Sequence, residues 1–126
     1  MDDWFIVDLE KKSLGRAASL IAKLLNIRAY NTYGKRGYIY KLLLVNVNKL
    51  ITSKRLLKKC YWRHTGYPGG LKCKTARQFN VRDLFMKVLT KMLPNTRIRR
   101  VLINNVRLIS DSNVNTLSKR ATYLES

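Results

Sequence analysis

At 126 residues the chain is the size of one domain and long enough to bury a core without disulfide or metal staples. Its 26 Lys and Arg stand against 7 Asp and Glu, a formal net charge of +19. No stretch approaches the roughly 20 apolar residues of a membrane span, and two cysteines, Cys60 and Cys73, set no disulfide framework.

The opening run Trp4-Phe5-Ile6-Val7 is β-prone and continuous, as in a buried strand. Ser13 then precedes a helical pattern in which Leu14, Ala17, Ala18, Ile21, Leu24 and Leu25 make one apolar stripe, with Arg16 and Lys23 off it. The small residues Ala17, Ala18 and Ala22 let that helix lie close to a sheet. A glycine-containing, charged loop around Gly34-Lys35-Arg36-Gly37 leads to a second strand, Tyr38 to Asn46. Its Leu42-Leu43-Leu44-Val45 centre does not alternate, which suits a strand covered on both faces. Strand, helix and buried strand in that order predict a βαβ unit and a parallel sheet with helices packed on it.

Residues 53–78 lose the apolar periodicity and are expected to form a protruding basic loop with no packed core. Order returns at Asn80, a predicted N-cap, with Asp83 in the first turn and Phe79 and Leu84 at the staple positions. Val81, Leu84, Phe85, Val88, Leu89 and Met92 form the apolar face, and Pro94 ends the helix. Arg97-Ile98-Arg99-Arg100 opens a short helix, Val106-Arg107-Leu108-Ile109 reads as a last strand, and residues 110–126 form a polar tail set against a surface or a partner. Neither repeats nor linkers interrupt the chain, so residues 1–126 are read as a single domain.

The charge is distributed unevenly. From Lys11 to Arg82 there is no carboxylate, while 18 Lys or Arg residues fall in that stretch. Such a surface repels itself and calls for a polyanion. Nucleic acid is the natural partner, because each neutralised phosphate releases condensed counterions. An anionic membrane surface and a merely solvated face are the alternatives that charge alone leaves open.

The segment from Lys54 to Lys74 combines cations for phosphates, planar side chains for stacking, and glycines where backbone can approach a strand closely. Within it Tyr67-Pro68-Gly69-Gly70 is a turn signal. Sharper chemistry fails. Counted from Gly66, the second glycine of a phosphate-binding loop would fall on Leu71. Cys60, His64 and Cys73 give three zinc ligands where a structural site wants four. No acid stands near Cys60 and His64 to orient a thiol nucleophile. No catalytic residue, metal or cofactor is expected.

Arg63-His64-Thr65-Gly66-Tyr67-Pro68-Gly69-Gly70-Leu71-Lys72 resembles the signature loop of the bacterial-type large-subunit ribosomal protein thirteen family. Trp4-Phe5-Ile6-Val7-Asp8, Leu14-Gly15-Arg16-Ala17-Ala18-Ser19, Asn46-Val47-Asn48-Lys49 and Met92-Leu93-Pro94 resemble further motifs of that family, in order along nearly the whole chain. There are departures: the family's acid before the second strand is missing at Gly37-Tyr38, its Thr-Gly is Thr52-Ser53, and Lys91 and Arg99 replace glycines. The tail is also shorter than the family's.

The resemblance implies a three-layer α/β/α sandwich around a four-stranded, mainly parallel sheet. It further implies a non-catalytic ribosomal constituent that binds and stabilises large-subunit rRNA, supports subunit assembly and touches neighbouring large-subunit proteins, with no membrane or small-molecule partner. Lys54, Arg55, Lys58, Lys59, Arg63, Lys72, Lys74, Arg77, Arg99 and Arg100 are then expected to meet phosphates. Trp62, His64 and Tyr67 would stack or hydrogen-bond, with Thr65 beside them, and Gly66, Gly69 and Gly70 would permit close approach. Trp62 and Tyr61 are equally readable as core residues. The start Met1-Asp2-Asp3-Trp4 has neither a signal-peptide nor a transit-peptide character. Scarce Ala and Gly with abundant Lys, Asn, Leu and Ile point to an AT-rich genome. The expectation is a protein made inside a mitochondrion or plastid, with the cytoplasm of a reduced-genome bacterium as the alternative.

Overall fold

The computed structural model describes residues 4–32, 41–110 and 121–123, with residues 28–32 and 121–123 described as backbone only. Strand β1 is Trp4–Asp8, helix α1 Leu14–Thr32 and strand β2 Lys41–Val45. A single helical turn α2, Lys54–Leu57, is followed by strands β3, Cys60–His64, and β4, Leu71–Thr75. Helices α3, Val81–Met92, and α4, Ile98–Asn104, precede strands β5, Val106–Leu108, and β6, Ala121–Tyr123. Short 3₁₀ turns occupy Val47–Lys49 and Ala76–Gln78. No described helix is long and apolar enough to cross a membrane.

The first βαβ unit forms as its pattern predicts. β1 and β2 are parallel neighbours with Phe5 opposite Leu42 and Val7 opposite Leu44. β5 adds beside β2 with Leu42 opposite Val106. The sheet order is β5-β2-β1-β6, every pairing parallel. One expectation is corrected here. The strand at Val106 is not the last, because Ala121–Tyr123, read from sequence as tail, pairs with Trp4–Ile6 as the edge strand β6. The rest of that tail, the Gly34–Gly37 loop and Tyr38 lie outside the described residues.

Packing explains why α1 and α3 are helices with the faces they have. Leu14, Ala17, Ala18 and Ile21 of α1, and Leu84, Phe85 and Leu89 of α3, join Val7, Leu42, Leu44 and Val106 of the sheet in one cluster. Ala17 and Ala18 are completely enclosed, so the helix axis can approach the strands as their size suggests. Leu102 of α4 and Leu93 close the same core. The other sheet face carries a smaller cluster of Ile6, Leu43 and Val45, with Trp4 and Ile109 against it. Among the described residues no helix contributes to that second cluster, so helices are seen to cover one face of the sheet.

The end of β2 is tied to the end of β1 by a polar lock. Asn46, the buried polar residue among those described, has φ of 60° and ψ of 34°, the left-handed region. Its Nδ2 donates to Asp8 Oδ1 at 2.9 Å, and the Glu10 amide donates to the same oxygen at 3.0 Å. One 3₁₀ turn later, Lys49 Nζ lies 3.4 Å from Glu10 Oε1. The Asn-x-x-Lys motif therefore fastens two strand ends together. Alanine at Asn46 is expected to cost about 2–4 kcal/mol, from the lost charge-assisted bond and from alanine's poorer tolerance of the left-handed region. Glycine there should cost less, because only the bond is lost. Urea unfolding checks the order, and an equal cost would mean the backbone conformation carries no strain.

Burial pushes the Asp8 carboxyl up. Hydrogen bonds from the Asn46 side chain and the Glu10 and Leu9 amides, with the charge of Lys12, outweigh that and hold it below 3.8. A carboxyl depressed in the folded state stabilises fully above its unfolded value, about 3.9, and loses that contribution as pH falls through the folded value. Asp8→Asn should therefore flatten the acid limb of a stability-versus-pH curve. An unchanged limb would show that Asp8 is not linked to folding.

A candidate nucleic-acid interface

The basic segment read as a loop is a β-hairpin. Ser53 caps its first helical turn, Oγ accepting from the Leu56 amide at 3.3 Å. The Ala76 amide then donates to the Lys59 carbonyl at 2.8 Å, and antiparallel pairing runs from Cys60 opposite Thr75 to His64 opposite Leu71. Sequence patterning missed this because the alternation is carried by cations and aromatics, not by apolar residues. The base of the hairpin is also packed, contrary to expectation. Ala76 is buried, and Leu56, Tyr61 and Phe79 lie against the main core.

The tip is built by the signature residues themselves. The Gly70 amide donates to the Tyr67 carbonyl at 2.9 Å, closing a turn with Pro68 at its second position and Gly69, φ 72°, at its third. That is the type II arrangement, in which the third position demands glycine. Gly66 has φ of 90°, and its amide donates to His64 Nδ1 at 2.9 Å. Gly70 is buried, and a Cβ there would collide with the Thr65 hydroxyl and approach the Tyr67 carbonyl to 2.8 Å. The glycines thus shape the tip, and Gly70 acts from beneath it. Gly70→Ala is expected to distort the turn at a cost of about 1–3 kcal/mol, read by denaturant unfolding. No change would mean that Thr65 moves aside freely.

Period-two geometry divides the hairpin into two faces. Tyr61, Arg63, Lys72 and Lys74 share one; Cys60, Trp62, His64, Leu71 and Cys73 share the other. Arg63 stands directly opposite Lys72, a like-charge pairing that weakens a bare sheet. On the outward face Trp62 is 65 % exposed and Leu71 58 %, and Tyr67 at the tip is 76 % exposed. The ambiguity between core and surface thus resolves in opposite ways, Tyr61 half-buried and Trp62 out. Cys60 and Cys73 are exposed free thiols. Hydrogen bonding with Cys60 pushes the Cys73 thiol up, away from what a nucleophile needs. Among the described residues no three His, Cys, Asp or Glu side chains converge as a metal site.

The expected cations fall into two groups. Lys54, Arg55 and Lys58 lie on or after α2, Lys59 and Arg63 on one hairpin arm, Lys72 and Lys74 on the other, and Arg77 just beyond; all are exposed. Arg99 and Arg100 sit apart on α4, which packs on α1 and β5. Arg99 is half-buried and donates from Nε to the Pro94 carbonyl and from a terminal nitrogen to the Leu93 carbonyl, both at 3.0 Å. Its guanidinium thus caps the end of α3, while the exposed Arg100 shares a groove with Asn95, Thr96 and Arg97.

The two-faced, acid-poor hairpin with its glycine-shaped tip stands on a parallel α/β core. The profile of ribosomal protein L13 covers residues 2–115. The chain belongs to the ribosomal protein L13 family. The large ribosomal subunit protein uL13 of Mesomycoplasma hyopneumoniae (strain 7448) is 32 % identical over 127 residues, covering 97 % of this chain and 88 % of the relative. The uL13 of Syntrophotalea carbinolica (strain DSM 2380 / NBRC 103641 / GraBd1) is 34 % identical over 122 residues, covering 87 % and 81 %. The uL13c of Gracilaria tenuistipitata var. liui is 34 % identical over 116 residues, covering 86 % and 80 %. As an L13 protein the chain is a structural constituent of the ribosome and not an enzyme.

Proposed function

We propose that this L13 protein holds large-subunit rRNA with its β3–β4 hairpin and supports assembly of the subunit. The observation that carries the reading is the placement of Arg63 opposite Lys72 with no carboxylate anywhere on the hairpin. A phosphate backbone relieves that repulsion and gains counterion release. Lys54, Arg55, Lys58, Lys59, Lys72, Lys74 and Arg77 extend the same cationic surface, and Arg100 adds a second site on α4. The exposed ring of Trp62, with Tyr67 and His64 near the tip, offers stacking to unpaired bases. Neighbouring large-subunit proteins complete the partner set.

The same reading treats the chain as one domain and as a three-layer sandwich. The burial of Ile6 and Leu43, each 1 % exposed, supports a layer over the second sheet face. It also assigns the protein to an organellar ribosome, on the AT-rich composition and the likeness to a chloroplast relative. The mycoplasma relatives favour the bacterial alternative to a similar degree. Sedimentation of a lysate through sucrose in high salt, with the protein followed by mass spectrometry, tests the central claim. Stoichiometric co-migration with the large subunit supports tight rRNA binding. Release by moderate salt would mean a looser electrostatic partner.

A further inference from the structure

Sequence patterning did not select Lys87 and Lys91, yet both stand at the base of the hairpin. Tyr61 of β3 and Phe79 pack edge to face, ring centroids 5.6 Å apart at 87°. Lys87 Nζ lies 3.9 Å from the Phe79 centroid and 5.4 Å from that of Tyr61. Lys91 Nζ is 5.2 Å from Tyr61, Lys59 Nζ 5.8 Å from Tyr61, and Lys74 Nζ 5.9 Å from Phe79. Four ammonium groups from the two hairpin arms and α3 therefore gather on two rings.

Ring faces attract each cation but neutralise none of its charge. Asp83 precedes Lys87 by one helical turn, a spacing that suits an ion pair. The Lys49–Glu10 pair is the ion pair formed among the described residues, and Lys87 lies over Phe79 instead. The rings thus pre-position the amines, limiting their rotamer freedom before any ligand arrives. Amines sharing the ring faces also make these rings poor platforms for bases, so the ligand is backbone phosphate rather than a stacked nucleobase. Lys87 and Lys91, one helical turn apart, present two charges in a row, as a strand of successive phosphates requires.

We propose that Lys87 and Lys91, together with Lys59 and Lys74 of the hairpin surface, form a further phosphate-backbone contact for RNA, built on the Tyr61–Phe79 pedestal, which carries the interface from the hairpin onto α3. This rests on the reading of the chain as an rRNA-binding protein. The contact is sequence-independent and positions the RNA relative to the core.

The test uses the full chain and purified bacterial large-subunit rRNA, with Kd measured across a salt series. Lys87→Gln/Lys91→Gln should bind more weakly and show a plot of log affinity against log salt shallower by about 1.5, for two lost phosphate contacts. Lys87→Arg/Lys91→Arg, which keeps the charge, should match the unaltered chain. A glutamine variant with the unaltered slope would overturn the site. So would an arginine variant that loses as much as the glutamine one, since the lysines would then be needed for packing. If the unaltered chain itself fails to bind at moderate salt, the rRNA reading falls, and that result is separate from either variant.

Discussion

Replacing Arg63 and Lys72 together by alanine is expected to weaken binding to large-subunit rRNA by about 10- to 100-fold, each charge contributing through phosphate neutralisation. The salt dependence should become shallower by about 1.5 for the two contacts. The fold should survive. Arg63 and Lys72 are both exposed and directly opposed on β3 and β4, so removing them takes away a repulsion rather than a contact. Hairpin register depends instead on the backbone ladder, the Tyr67–Gly70 turn and the anchoring of Tyr61 and Ala76 on the core. Circular dichroism and urea unfolding distinguish the two roles. Loss of secondary structure in the double variant would reassign both residues to folding.

Phe85→Ala should have the largest effect on stability. The ring is 0 % exposed within the main cluster, which joins residues of α1, α3 and the sheet. Its truncation removes buried apolar surface and leaves a cavity, at a cost of about 3–5 kcal/mol. Against the roughly 5–15 kcal/mol that a domain of this kind possesses, that is enough to lower the melting temperature by roughly 10–20 °C. Met92, on the same predicted apolar face, is 41 % exposed. Met92→Ala should therefore cost less than about 1 kcal/mol. Equal costs at the two positions, measured by thermal unfolding, would show that the core is not centred where the packing puts it.

The contrast between Phe85 and Met92 shows what periodicity conveys and where it stops. Apolar spacing marks a helix face, but how far along the helix the sheet extends depends on the partners. Leu24 makes the same point on α1, half-exposed on a stripe whose other members are buried. β1, β2, α1 and α3 are legible because burial imposes its period on the residues themselves. The hairpin is not, since most of both its faces meet solvent and no apolar alternation is required. Only its turn, Tyr67-Pro68-Gly69-Gly70, announces itself locally, because glycine at a left-handed position is a property of the backbone there. β6 is a strand of three residues, Ala121-Thr122-Tyr123, whose identity comes from the free edge of β1.

The candidate site divides in the same way. The acid-free basic stretch and the signature decapeptide point to RNA without a structure, since charge and backbone-specific glycines are visible in one dimension. Which cations meet which surface is not. Arg99 turns back to cap α3, while Lys87 and Lys91 join the hairpin across 26 and 30 residues of chain from Tyr61. Asn46 and Asp8 matched as separate motifs and proved to be two halves of one hydrogen bond. By itself the sequence determined the parallel α/β core, the acid-free basic stretch and the turn at the hairpin tip, all set by local pattern and composition. Tertiary structure alone decided the two faces of the hairpin, the edge strand β6 and the lysine cluster on Tyr61 and Phe79, because each depends on distances between residues far apart in the chain.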